Sequence, residues 1–312
     1  MSDHPVSPAL LDASSRVHVA PDRSYATVGD RRIEAETTRE LRRLLSDALY
    51  HELHAGLSLG EDPLPFRLRD SGFEEQLAQA VPHQQTTLRG LVRAVGDIAH
   101  VIELGGVRVR VPADRIHADG AVSPGSVVGV ANTSLRPALS PGFFLVEGTR
   151  PHRSADLLRV YVHIAEWAAA PDIWHTVLGH LEANGVTYRA KVVSSKLLYP
   201  RRDALVVYLD QQDRHAAQGI AETVGDLPGI GTQTSAFTRQ LRPGVATAWE
   251  PRDPSAGMDG LSFGQHRASV LAKALVETAD ATESFADVLH GFLLEANVDP
   301  ADPSRNADSP DA

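Results

Sequence analysis

The chain has 312 residues, 42% of them hydrophobic and 22% charged, with a formal charge of −10 and no cysteine. Those values describe a soluble globular protein with core enough for one large domain or two ordinary ones. They exclude disulfides, thiolate nucleophiles and cysteine-held zinc, and the acidic balance argues against a nucleic-acid binder, which carries a basic footprint.

The start, Met-Ser-Asp-His-Pro, has neither the basic nor the apolar part of a signal peptide. No apolar run reaches the ~18 residues of a membrane helix, so the expectation is a cytoplasmic protein with no membrane partner. Residues 1–30 read as polar and irregular. Thr37-Thr38-Arg39-Glu40 has the form of a capping box, and Leu41, Leu44, Leu45, Ala48, Leu49 and Leu53 follow at helical spacing up to Gly56. A Pro-rich loop over 61–65 precedes a second helix over about 72–80. Short apolar or alternating runs at 107–111, 126–130 and 142–146, bounded by Gly and Pro, predict strands of an antiparallel sheet.

The second half carries more information. Leu158, Val160, Val162 and Ile164 alternate with Arg159, Tyr161 and His163, which gives a strand with one apolar and one polar face. A helix follows, with Asp172 as its cap and Gly185 just past its end. Val186, Tyr188, Ala190 and Val192 then alternate with Thr187, Arg189 and Lys191 in a second such strand. Residues 204–210 are apolar on both faces, as in a buried central strand. Helices are expected at about 212–224, 264–278 and 283–296, and the Asp- and Pro-rich tail is expected to be disordered. The resulting expectation is an α+β fold, an antiparallel or mixed sheet flanked by helices. It divides into a helical and small-sheet region over 1–150 suited to peptide recognition, a catalytic region over 151–298 and a disordered tail over 299–312.

Only three of the 30 basic residues are lysines, and two of those, Lys191 and Lys196, fall in one short segment. Arginine stays charged and cannot act as a base, whereas a lysine amine can take a proton. Lys191, on a polar strand face, is therefore a candidate base. The plainer alternative is an exposed residue in an Arg-biased chain. His163 shares the corresponding face of its own strand, and the two flank one cleft if their strands are neighbours. Arg159, Arg189, Arg201, Arg202, Arg239 and Arg267 surround them in sequence, and Ser262-Phe-Gly-Gln-His-Arg267 opens a helix whose N–H groups favour an anion. Ordinary charges wetting a strand face would look the same. His175 and His180 diverge on their helix, so a shared metal is not expected, and Gly229 with Gly231 reads as a turn. No phosphate loop, nucleophile elbow or HExxH is present. A base, an acid and arginines suit β-elimination of phosphate from phospho-Ser or phospho-Thr, a reaction that needs neither metal nor cofactor.

The blocks Tyr161-Val-His163-Ile, Lys191-Val-Val-Ser, Tyr199-Pro-Arg-Arg-Asp-Ala-Leu-Val-Val-Tyr-Leu209, Phe237-Thr-Arg-Gln-Leu-Arg-Pro-Gly-Val245 and Ser262-Phe-Gly-Gln-His-Arg267 resemble the HopA-type effector family. The resemblance covers roughly residues 150–280. Members of that family also occur in gene clusters for class V lanthipeptides and thioamitides, assigned there as phospho-Ser/Thr lyases beside a separate kinase. The spacing is similar to that of the bacterial effector phosphothreonine lyases. The resemblance implies His163 as the acid, Lys191 as the base, and Arg202, Arg239 and Arg267 at the phosphate. Those lyases carry a lysine two residues before the histidine. This chain has Tyr161 there, with Arg159 on the same face as a substitute. The implied substrate is a phosphorylated precursor peptide, with a kinase and a cyclase as partners and no cofactor. A non-catalytic peptide-binding adaptor, and a hydrolase pairing His163 with His266, are the rival readings.

Overall fold

The computed structural model describes residues 6–57, 69–150 and 156–309. The N-terminal segment is more regular than its composition predicts. Helix α1 (Pro8–Ser14) leads into a small antiparallel sheet of β1 (Val17–Val19), β2 (Tyr25–Val28) and β3 (Arg31–Glu34). Helix α2 (Thr38–Leu49) begins where the capping box predicts: Thr37 accepts from the Glu40 N–H, and Glu40 reaches back to the Glu36 N–H. It continues as a π-helical turn, Tyr50–Ala55, and closes at Gly56. The Pro-rich loop over 61–65 lies outside the described residues.

After α3 (Ser71–Gln79) come β4 (Gln85–Ala94), β5 (Ala99–Leu104), β6 (Val107–Pro112), β7 (Ile116–His117) and β8 (Val127–Thr133), an antiparallel sheet in the order β6-β5-β4-β8-β7. The remaining strands are β9 (Leu135–Ser140), β10 (Phe143–Glu147), β11 (Leu157–Ile164), β12 (Tyr188–Val193), β13 (Arg201–Asp210), β14 (Arg239–Arg242) and β15 (Val245–Trp249). They form one antiparallel seven-stranded sheet, ordered β14-β15-β11-β13-β12-β10-β9. The fold is α+β, with β13 central as its two apolar faces require.

Helices cover both faces of this sheet. On one side α3, α4 (Ala170–Ala183) and α5 (Ala216–Val224) pack on Leu158, Val160, Val162 and Ile164 of β11 and on Tyr188, Ala190 and Val192 of β12. On the other, α1, α2, α6 (Phe263–Glu277) and α7 (Phe285–Glu295) enclose a second core that takes in Tyr161, Val206, Phe237 and Ala248. Asp172 lies in the first turn of α4 and does not cap it; Ala169 holds the cap position with a proline just inside, which suits the ring's fixed φ.

Two expectations need correction. Position 150 is no domain boundary: Leu41, Leu45 and Leu49 of α2 share one core with α6 and with β11 and β13. An amphipathic helix must bury its apolar stripe, and α6 provides the partner. Residues 135–147 likewise belong to the seven-stranded sheet, so the five-stranded sheet, with a small core of its own, is an excursion between α3 and β9. Nor is the tail disordered over 299–309. The Trp249 N–H donates to Ser304 O (2.8 Å), Val298 bridges Asn306, and Ser304 and Asn306 are buried. Its polar groups are bonded to the protein, which low hydrophobicity alone does not forbid. Residues 310–312 lie outside the described residues.

Candidate functional site

Alternation decides which side chains reach the sheet face beneath α2 and α6. Tyr161 of β11 and Lys191 of β12 both lie opposite Val206 of β13. They flank the central strand in one row, about 10 Å apart at the backbone, twice the strand spacing. The neighbouring row runs Arg159, Tyr208, Arg189, Glu147. The condition for His163 and Lys191 to flank one cleft, that β11 and β12 be neighbours, is therefore not met, because β13 lies between them.

Above the first row lies a cavity of about 750 Å³, lined by Lys191, Arg159, Tyr161, Tyr208, Tyr50, His54, Asp203, Glu250, Asp253 and the start of α6 at Ser262 and Gln265. Tyr50 and His54 come from the π-helical turn, four residues apart and so on one face; their rings are 5.5 Å apart. Gly264 lets α6 approach: a Cβ there would lie 2.2 Å from the His54 ring. Buried His54 accepts or donates at Nδ1 with Ser235 (2.9 Å), and burial holds its pKa down to about 4, so it is neutral.

Three of the four carboxylates that line the cavity, all but Asp259, are tied to arginines directly or through a histidine. Arg201 donates twice to Asp203 (2.7 and 2.8 Å) and once to Tyr50. Arg159 forks onto Glu250. Asp253 is reached through a relay: Arg267 donates to Nδ1 of His266 (2.8 Å), which leaves the hydrogen on Nε2 to donate to Asp253 (3.0 Å). Lys191 has no carboxylate partner among the described residues; its Nζ stands 4.2 Å from the Phe143 ring centre and 5.8 Å from that of Tyr208. The Tyr161 hydroxyl is buried and has no hydrogen-bond partner among the described residues, a group a ligand would satisfy.

The six residues expected at the site thus fall in four places. Lys191 and Arg159 line the cavity, although Arg159 is already neutralised. His163 and Arg202 form a separate corner outside it: Nδ1 of His163 donates to the Gln233 carbonyl (3.0 Å) and Arg202 donates to the Gln233 side chain (2.9 Å) and to Glu52 O (3.0 Å). Gly231 abuts this corner, since a Cβ there would lie 2.3 Å from the His163 ring. Burial, and then Arg202, lower the His163 pKa, which favours the neutral ring over the imidazolium an acid requires. Arg267 does not line the cavity. It is buried and donates to Pro303 O (2.7 Å), Arg305 O (3.0 Å) and Asn306, holding residues 303–306 against α6. Arg239 lies exposed on edge strand β14. Lys196 lies 4.5 Å from the Trp167 ring centre and takes no part. Tyr50, His54 and Tyr208 were not singled out from the sequence. The first two sit beside the leucines that mark the helix and carry no motif of their own, and Tyr208 reads simply as part of an apolar strand.

A model of the HopA1 effector protein family matches residues 134–305, more than half the chain, and the protein belongs to that family. The match opens at the residue before β9 and closes in the segment held by Arg267, so it spans the whole seven-stranded sheet and the cavity lining apart from Tyr50 and His54. Two solved structures are similar. One is an effector protein from Pseudomonas syringae pv. tomato strain DC3000, with 19% identity over 55% of this chain and 66% of that chain and a TM-score of 0.43. The other, an effector protein from Pseudomonas syringae pv. syringae strain 61, has 11% identity over 85% of this chain and 95% of that chain and a TM-score of 0.45. No curated protein matches. Among the described residues no helix is long and apolar enough to cross a membrane.

Proposed function

We propose that the protein is a phospho-Ser/Thr lyase that removes phosphate by β-elimination from a phosphorylated precursor peptide, leaving dehydroalanine or dehydrobutyrine, in the maturation of a lanthipeptide- or thioamitide-type product. One observation carries the reading. In a cavity where three of the four lining carboxylates are tied to arginines, a lone lysine amine shares the lining with the start of α6 and with Tyr161, whose buried hydroxyl has no hydrogen-bond partner among the described residues. Lys191 is the group that takes the Cα proton. Lys191, the Tyr161 hydroxyl and the α6 N-terminus are the donors available to the phosphate. A kinase that supplies the phosphopeptide and a cyclase that consumes the dehydro residue are the partners the chemistry calls for.

The test is incubation of the protein with a phosphothreonine peptide, without ATP or added metal, followed by mass measurement. Loss of phosphoric acid is expected. Loss of phosphate with uptake of water would mean hydrolysis. The neutralised arginines favour one alternative, a non-catalytic peptide-binding adaptor, and peptide binding without turnover would establish it.

A further inference from the structure

We propose that Tyr208 is the acid of this elimination, its phenol handing a proton to the leaving phosphate oxygen while Lys191 takes the Cα proton. The inference rests on the lyase reading and supplies what that reading lacks, a proton donor inside the cavity.

Tyr208 lies on β13 between β11 and β12, opposite Arg159 on one side and Arg189 on the other. Its ring centre is 5.0 Å from the Arg159 guanidinium carbon and 5.8 Å from Lys191 Nζ, and all three line the cavity. The charged and titratable groups facing it are Lys191 and Arg189 from β12, Arg159 and Tyr161 from β11, and Glu250 just after β15; Arg189 is paired with Glu147 and Arg159 with Glu250.

The other donors fail one by one. His54 and His266 are held by burial at about 4, so neither is an acid at neutral pH, and the Nε2 hydrogen of His266 is committed to Asp253. His163 lies outside the cavity. Asp203 and Asp253 are held below the usual carboxylate range despite burial, by Arg201 and by hydrogen bonds from Ser255 respectively, and have no proton to give. Burial pushes the phenols of Tyr50 and Tyr161 far up, so they donate hydrogen bonds and keep their protons. Burial acts on Tyr208 too, but the charge of Lys191, present once that amine has taken the Cα proton, and that of Arg159 outweigh it and bring this phenol below its ordinary range. Two phenols in one cavity, pushed in opposite directions, divide the roles: Tyr161 binds and Tyr208 transfers a proton.

The step balances with the groups present. The Lys191 amine bonds the Cα hydrogen, and the C–H electron pair becomes the Cα=Cβ π bond. The Cβ–O bond breaks, its pair goes to the phosphate oxygen, and that oxygen takes the Tyr208 proton. Ammonium and phenolate are left side by side, and one proton passing from Lys191 to Tyr208 restores the site.

Full-length protein, Tyr208→Phe, and protein carrying 3-fluorotyrosine at 208 are assayed on a phosphothreonine peptide across pH. Tyr208→Phe is expected to lose about 10²–10⁴-fold in kcat, the usual worth of general acid catalysis. Its KM should change little, and the alkaline limb of its profile should disappear. Fluorotyrosine, a stronger acid of nearly the same shape, is expected to move that limb to lower pH. A folded Tyr208→Phe protein with near-native kcat, or an unmoved alkaline limb with fluorotyrosine, overturns the proposal and leaves the lyase reading standing. If Tyr208→Phe does not fold, the fluorotyrosine limb decides alone. Absence of dehydrobutyrine from the unmodified protein overturns both.

Discussion

The Lys191 cavity and the His163–Arg202 corner follow one another along the same strand face, yet they treat charge in opposite ways. In the cavity every arginine answers a carboxylate, directly or through His266, and the lysine is left over. In the corner the arginine meets, among the described residues, only neutral oxygens, the Glu52 and Leu53 carbonyls and the Gln233 side chain, and its Nε finds no partner there. Arginines near a lysine in sequence therefore say little about an anion site; what matters is whether a carboxylate has already claimed them.

Mutations separate the two places most sharply through turnover. Lys191→Ala is expected to lower elimination by about 10³-fold or more, and Lys191→Arg should fail as badly because guanidinium stays protonated. His163→Ala should lose less than about tenfold. A dead His163→Ala protein with native stability would move the chemistry to the corner.

Adjacent arginines give the next largest contrast, in stability. Arg201 is fully buried against Asp203, so Arg201→Met strands a carboxylate and should cost about 3–5 kcal/mol in a denaturant melt. Arg202→Met forfeits bonds to neutral oxygens and should cost about 1 kcal/mol.

Acid should weaken the cavity's surroundings. His54 and His266 are both held at about 4 by burial, against an ordinary value of 6.5. Between those values the unfolded chain binds more protons than the folded one. The stability is therefore fully present above about pH 6.5 and lost as pH falls toward 4, by on the order of a few kcal/mol. Melting temperatures across that range check it, and a flat profile would mean that both rings accept protons in place. Arg239→Ala, on the exposed edge strand, should change stability by less than about 0.5 kcal/mol and turnover not at all.

Much of the sheet was legible because its strands alternate or are apolar throughout. Leu158 to Ile164 declared both a buried and a polar face, and residues 204–210 declared the centre. Strand order was not legible. Sequence places Lys191 one strand after His163, while hydrogen bonding inserts β13 between their strands. The role of Arg267 was hidden because its acceptors, the carbonyls of Pro303 and Arg305, lie in a segment whose composition resembles disorder. Lys191 stood out because lysine is rare in this chain and because alternation puts it on the polar face of its strand.

The cavity floor is made of strands hydrogen-bonded on both sides, whereas much of its rim, residues 250–261, is irregular. Loops tolerate change better than a central sheet does. On the lyase reading, exchange of rim residues such as Met258, Asp259 and Leu261 should admit a different peptide while Lys191 and Tyr208 stay in register. Selection for new substrates and selection for chemistry then act on separate stretches of the gene.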